Sequence, residues 1–415
     1  MRIVFFNPAA ELGGGERSLL DVMACLRDAD PAMSLGLLTA EEGPLATEAG
    51  RLGAGVVQVP MPAALAGFGD SALKFSGRMG AAFSLGGRAP RAGLAAAGYV
   101  RRLAQALRGM SPDLIHSNDN KSHILACLAR PEGVPVVWHV RDFVGSRGMV
   151  SRALRWASLR AAGAIANSRA VGEDARAVLG GLPVEVIHNA IDLAGFSPGA
   201  GDGAALDRLA GVPAAPEGTV RVGLVATFGR WKGQDLFLEA IARVIAAPPA
   251  RPVRFYIVGG PIYRTAGSQF SEAELRDLAA RLKVAGHVAF TGFQRDTVAA
   301  YRALDVVVHA STQPEPFGRA IVEAMACARA VIVSDAGGAS ELFVHDRDAM
   351  GCAPNDAGAL AAAIGSLIDD PSRRARLGAE ARRSAELRFS RTRLGREVGA
   401  AYARFTGGRL VISAG

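Results

Sequence analysis

Arg2–Asp28, RIVFFNPAAELGGGERSLLDVMACLRD, decides how the rest of the chain is read. A short apolar run stops at Asn7-Pro8, a glycine loop follows, and ERSLLDVMACLRD has the spacing of a helix with one apolar face. Strand, glycine loop and helix in that order make the opening of a βαβ unit. The same cadence returns at Val220–Ala240, VRVGLVATFGRWKGQDLFLEA. Working outward from the first stretch, SLGLLTA, GVVQVP, DLIHSN, VPVVWHV, AAGAIANS and VEVIHNA read as strands. Outward from the second come VRFYIVGG, HVAFTGF, DVVVHAS and AVIVSDA. A Gly-, Ala- and Pro-rich stretch from about Asp192 to Gly218 separates the two series.

The expectation is an α/β protein with two doubly wound, Rossmann-like domains facing a central cleft. The boundaries expected are 1–195, 196–388, and a final helical segment, 389–415, crossing back to the first domain. The length of 415 residues suits two domains, and half of them are hydrophobic, enough for two cores. Four widely spaced cysteines, Cys25, Cys127, Cys327 and Cys352, form no CxxC pair and read as buried free thiols in a reducing compartment. MRIVFFNP reads as a first strand rather than a signal peptide. The longest uncharged window, Leu52–Gly69, carries Pro60 and Pro62 and cannot span a bilayer as a helix. A cytoplasmic protein is expected.

The formal charge of +8 is uneven. From Ser71 to Pro112 lie Lys74, Arg78, Arg88, Arg91, Arg101, Arg102 and Arg108, with no acid among them. This segment reads either as a solvated basic face or as a surface for anionic lipid or a phosphate-bearing substrate. Few aromatics accompany it, so nucleic acid is not expected.

In open α/β sheets ligands bind beyond the carboxyl ends of the strands, so residues there carry the functional reading. Gly13–Glu16 opens a helix, where Gly14 and Gly15 let the backbone approach a phosphate or sugar. The same loop reads equally as a tight turn, and Ser18 stands where a dinucleotide fingerprint needs glycine. Arg230 and Lys232 lie beside a helix start, placed to clamp a diphosphate or to sit as plain surface cations. His139 ends a strand, where it could bind a sugar, move a proton or be structural; His116 stands in the same position on DLIHSN. PEPFGRAIVEAMA, Pro314–Ala326, places Glu315 in a proline turn and Glu323 in a nearly all-apolar helix. Such a helix is buried, and a buried glutamate is paired or used. Glu323 is therefore either half of an ion pair or an acceptor for vicinal hydroxyls such as those of a ribose. Asp28/Asp30 and Asp346/Asp348 have DxD spacing but fall in turns, and no metal is expected.

GGGER, His139, HNAID, WKG, the two glutamates of PEPFGRAIVEAMA, and SDAGGASEL together resemble the retaining family-4 glycosyltransferases of GT-B fold, over about residues 1 to 390. The resemblance implies a nucleotide-sugar donor held mainly by the second domain. Lys232 and Arg230 would hold its diphosphate, Glu323 the ribose and Glu315 the donor sugar. Backbone amides near Phe317, Gly318, Gly14 and Gly15 would line sugar and phosphate, with His139 facing the transferred sugar. It further implies retention of anomeric configuration, no bound metal or other cofactor, and a saccharide or lipid-linked acceptor of the kind used in cell-envelope polysaccharide biosynthesis. The family spaces its arginine and lysine as GRxxxxKG, whereas FGRWKG leaves one residue between them, so Arg141 is an alternative cation. Three other readings stand beside the transferase: another GT-B activity such as a nucleotide-sugar epimerase, a nucleotide-sugar-binding protein without catalysis, and an NAD-dependent oxidoreductase, on fold alone. Peripheral contact with an anionic membrane through residues 71–112 is expected as well.

Overall fold

The computed structural model describes residues 1–66, 89–247, 249–261 and 267–410. Two compact units emerge: Met1–Ala190 together with Arg391–Gly415, and Ile191–Ser390.

The first unit holds a seven-stranded parallel sheet: β1 Arg2–Phe6, β2 Ser34–Thr39, β3 Gly55–Gln58, β4 Leu114–Ser117, β5 Val136–Val140, β6 Gly163–Ala166 and β7 Val184–Val186. Its order is β3-β2-β1-β4-β5-β6-β7. The second unit holds six parallel strands: β8 Val220–Val225, β9 Val253–Val258, β10 Val288–Gly292, β11 Val306–His309, β12 Ala330–Ser334 and β13 Met350–Cys352. Their order is β10-β9-β8-β11-β12-β13. Parallel strands are covered by helices on both faces, which is why β4, β5, β6, β11 and β12 are buried from end to end and read as mostly apolar runs, with polar residues chiefly toward their carboxyl ends. Each unit packs two apolar clusters.

In both sheets the winding reverses once, between β1 and β4 and between β8 and β11. At such a switch point the loops after the two central strands diverge and leave a crevice for a ligand. The loops after β8 and β11 carry Lys232 and Glu315; those after β1 and β4 carry the glycine loop and Asn118.

The Gly14–Ala29 helix begins within the glycine run, so Gly14 and Gly15 form its first turn. β13 is a strand the sequence did not announce: three residues, MGC, after a turn at Asp346, whose φ is +56°. The last helix, Arg391–Phe405, packs on the Gly14–Ala29 helix. Gly395 permits this closeness, since a Cβ there would stand 2.9 Å from the Cys25 carbonyl oxygen. Arg391 anchors it with two bonds, of 3.0 and 2.7 Å, to Oδ1 of the buried Asp21. All four cysteines are free and buried. Among the described residues no helix is long and apolar enough to cross a membrane.

Candidate active site

Lys232 closes a single 3₁₀ turn, Arg230–Lys232, that leads into the Gln234–Ala246 helix. Gly233 joins them in the left-handed conformation, φ +74°, where a Cβ would stand 1.9 Å from the Ala310 carbonyl oxygen. Only glycine permits that approach. Thr312 donates to the Trp231 carbonyl at 2.9 Å, tying the β8 loop to the β11 loop. Lys232 Nζ thereby reaches Glu315, donating at 2.9 Å to Oε1 and 2.8 Å to Oε2.

Glu315 is held from three further sides. Ser311 Oγ donates to its Oε2 at 2.7 Å, and His309 Nε2 lies 3.4 Å from the same oxygen. Its carbonyl accepts from Gly338 N at 2.7 Å, and its N–H donates to Ala336. Gly337, φ +67°, makes room for this, because a Cβ there would press on the Glu315 backbone. Burial pushes the Glu315 carboxyl up, but the Lys232 charge and the His309 and Lys232 hydrogen bonds outweigh it and hold the group well below the carboxylate range. A buried, ionised carboxylate clamped to an ammonium at a switch point is poised for a polar ligand with hydroxyl donors and anionic groups.

Glu323, in the Arg319–Ala326 helix, accepts from Arg319 Nε one turn back at 2.8 Å and from the buried Tyr301 hydroxyl at 3.1 Å. The ion-pair partner is thus the one other charge in that helix. Phe317 buries its ring edge-on against Phe389. Gly318, φ +98°, caps the Arg319–Ala326 helix. Arg230 does not join Lys232 and Glu315. Its guanidinium donates to Glu274 at 2.7 Å and to the Gly267 carbonyl at 3.1 Å, and covers the Phe270 ring.

In the first unit, an ideal Cβ on Gly15 would lie 2.7 Å from the Arg141 guanidinium, so this glycine admits the cation to the helix start. Arg141 donates to the Asn118 carbonyl at 2.9 Å. Asn118 in turn donates to Asn7 at 2.7 Å, joining the β1 and β4 loops. His139 on β5 is buried, with Nδ1 3.3 Å from His116 Nε2. His123 stacks on Trp138 and bonds Ser117 at 2.7 Å. Burial, then neighbouring positive groups, push all three histidines down: His116 to about 3, His123 and His139 well below their ordinary range. They are neutral imidazoles in the fold.

This predicts acid sensitivity. Unfolded, His116 titrates near 6.5; folded, near 3. Between those values the unfolded chain binds a proton that the fold refuses, so stability present above pH 6.5 drains away as pH falls. At about pH 5 His116 alone accounts for ~2 kcal/mol. Denaturant titrations at about pH 7.5 and pH 5 measure the fall, and His116→Asn should reduce it by about 2 kcal/mol, leaving the part owed to His123 and His139.

The sequence missed three contributors here. His309 and Ser311 obey the same end-of-strand rule that singled out Glu315. Glu274 lies 44 residues from Arg230, and nothing local marks it. Three of the four DxD aspartates have protein partners: Asp30 caps a turn through Ala32 N, Asp346 pairs with Arg373, and Asp348 accepts from Ser384 and Val344 N.

Two family models match the chain: Glycosyltransferase Family 4 over residues 12–194 and Glycosyl transferases group 1 over residues 208–384. A D-inositol 3-phosphate glycosyltransferase of Kineococcus radiotolerans is 34% identical over 217 residues, covering 49% of this chain and 48% of that protein. The lipopolysaccharide core biosynthesis mannosyltransferase LpcC of Rhizobium leguminosarum is 32% identical over 53% of this chain and 60% of its own length. The chain thus spans about half to three-fifths of the length of these curated relatives. Among solved structures, Anabaena Alr3699/HepE in complex with UDP-glucose superposes with a TM-score of 0.77 at 26% identity, covering 97% of this chain and all of that one. A sucrose-phosphate synthase from Thermosynechococcus elongatus, 18% identical, shares the fold over 98% of this chain and 99% of its own, TM-score 0.74. The chain belongs to the glycosyltransferases of GT-B fold, with a Family 4 domain followed by a group 1 domain.

Proposed function

We propose that the protein transfers a sugar from a nucleoside-diphosphate sugar to a saccharide or lipid-linked acceptor, with retention of anomeric configuration and without a bound metal. The observation that carries this is the Lys232–Glu315 pair at the β8/β11 switch point. The names of the relatives support it: the Anabaena protein is in complex with UDP-glucose, and the Rhizobium protein is a mannosyltransferase.

In this reading Lys232 stabilises the charge that grows on the departing diphosphate. Arg230 joins it by exchanging Glu274, since a solvent-screened pair is a weak one. Glu315 orients the donor sugar through its hydroxyls. Glu323 takes the ribose hydroxyls, using carboxylate lone pairs beyond those that Arg319 and Tyr301 occupy. Amides near Phe317, Gly318, Gly14 and Gly15 receive phosphate and sugar oxygens, and His139 meets the transferred sugar. The leaving phosphate itself helps deprotonate the acceptor, so no separate base is required.

An anionic membrane as the place where the acceptor is met fits the basic segment. Lys74, Arg78 and Arg88 of that segment lie outside the described residues, as does the Arg91 side chain; Arg101, Arg102 and Arg108 are exposed.

The test is release of nucleoside diphosphate from a panel of UDP-, GDP- and ADP-sugars in EDTA, with oligosaccharide and polyprenyl-linked acceptors. One donor class should turn over without metal. Binding without turnover of any donor would favour the non-catalytic reading, and reduction of NAD with no sugar transfer would favour the oxidoreductase.

A further inference from the structure

A buried chain of three side chains runs from the last helix to His139. The Tyr402 hydroxyl lies 2.6 Å from His116 Nδ1, and His116 Nε2 lies 3.3 Å from His139 Nδ1. Tyr402 and His116 are fully buried and His139 is 1% exposed. The rings meet edge to face, at 5.9 Å between Tyr402 and His116 and 5.3 Å between His116 and His139. At the far end, His139 Nε2 has no hydrogen-bond partner among the described residues.

Two proton arrangements satisfy these distances. In the first, the Tyr402 O–H donates to His116 Nδ1, His116 Nε2–H donates to His139 Nδ1, and His139 ends in Nε2–H. In the second, every donor reverses: His139 Nδ1–H donates to His116 Nε2, and His116 Nδ1–H donates to the Tyr402 oxygen. His139 then ends in a bare Nε2 lone pair. The first leaves one buried group unpaired, the His139 Nε2–H, which a ligand oxygen would satisfy; the second leaves two, the Tyr402 phenolic proton and the His139 Nε2 lone pair. The Tyr402 hydroxyl makes no other side-chain or backbone bond among the described residues. The additional stranded group costs about 1–3 kcal/mol, enough to select the first arrangement by roughly fivefold or more. The histidines are neutral in the fold, so each has one donor and one acceptor nitrogen, as the chain requires.

We infer that Tyr402 and His116 are positioning residues that lock His139 into its Nε2–H tautomer, making it a hydrogen-bond donor to a ligand oxygen and barring it from acting as a base. That the oxygen belongs to a donor sugar rests on the proposed function; the tautomer does not. The last helix thereby acts at a strand end far from it in sequence, through a hydroxyl the sequence pattern did not mark.

The experiment is ¹⁵N NMR of the histidine imidazoles in the full chain, with His139 assigned by loss of its signals in His139→Gln. The expected wild-type result is a protonated Nε2 and an unprotonated Nδ1. In Tyr402→Phe the selecting donor is gone, and His139 should become a mixture of tautomers. A wild-type His139 protonated on Nδ1 overturns the inference, and that reading needs no variant to fold. A His139 tautomer unchanged in Tyr402→Phe, or in His116→Gln, overturns it as well. With a donor that turns over, Tyr402→Phe should lower kcat about twofold, in proportion to the Nε2–H fraction lost, and leave KM nearly unchanged. Absence of turnover in the wild type counts against the transferase reading alone, because the tautomer is read without substrate.

Discussion

Lys232→Ala is expected to lower kcat/KM by about 10²- to 10³-fold, the usual effect of deleting one preorganised group aimed at developing charge. Two consequences of the geometry combine. The variant loses the ammonium proposed to meet the leaving diphosphate. It also leaves Glu315 buried with only His309 and Ser311, so burial is no longer outweighed and the carboxyl moves up from its depressed position. Glu315 in the wild type stays ionised down to low pH; in the variant it takes up a proton at higher pH as the solution is acidified. Steady-state kinetics across pH separate the two: a rate loss that persists at alkaline pH, where Glu315 is ionised in both proteins, belongs to the missing cation. A variant with near wild-type kcat/KM at every pH would remove Lys232 from the chemistry.

Gly233→Ala is the second large effect, and it is structural. The residue would carry both a left-handed φ of +74° and a Cβ 1.9 Å from the Ala310 carbonyl oxygen. The conformation alone costs about 1–2 kcal/mol, and relief of the clash must push the β8 and β11 loops apart. A total of ~3 kcal/mol or more is expected, read as a lower unfolding midpoint. Gly211→Ala is the matched control in the same unit, with φ +66° and nothing within 4 Å of the new Cβ. It should show the conformational part only. Equal losses in the two variants would mean that the Ala310 contact yields without cost.

Much of this protein is legible in its sequence because parallel strands buried on both faces are written as short, mostly apolar, β-branched runs. VRVGLV, VVVH and AVIVS can hardly be anything else. Glu315, Lys232 and the glycine loops were legible because a doubly wound sheet gathers whatever follows its strands. Glu323 was legible as an oddity, and its i−4 partner Arg319 was within reach of simple helix spacing. What could not be read was direction. Arg230 and Lys232 sit two apart on one turn, yet a 3₁₀ turn sends them to different partners, Glu274 and Glu315. Tyr402 meets His116 across 286 positions, a contact made only by where the last helix packs. β13 escaped because three residues carry too little pattern to distinguish a strand from a turn.

The central claim is that Lys232 and Glu315 belong to a metal-independent nucleoside-diphosphate-sugar site. The most direct measurement is thermal unfolding of the full chain with UDP, GDP, ADP and NAD, each in EDTA and in magnesium, repeated on Lys232→Ala. A ligand at about 100 times its dissociation constant stabilises by roughly 2.7 kcal/mol, a shift easily seen. The account predicts that one nucleoside diphosphate raises the midpoint in EDTA as much as in magnesium, that NAD does not, and that Lys232→Ala loses most of the shift. Stabilisation only with magnesium, only by NAD, or undiminished in Lys232→Ala would contradict it.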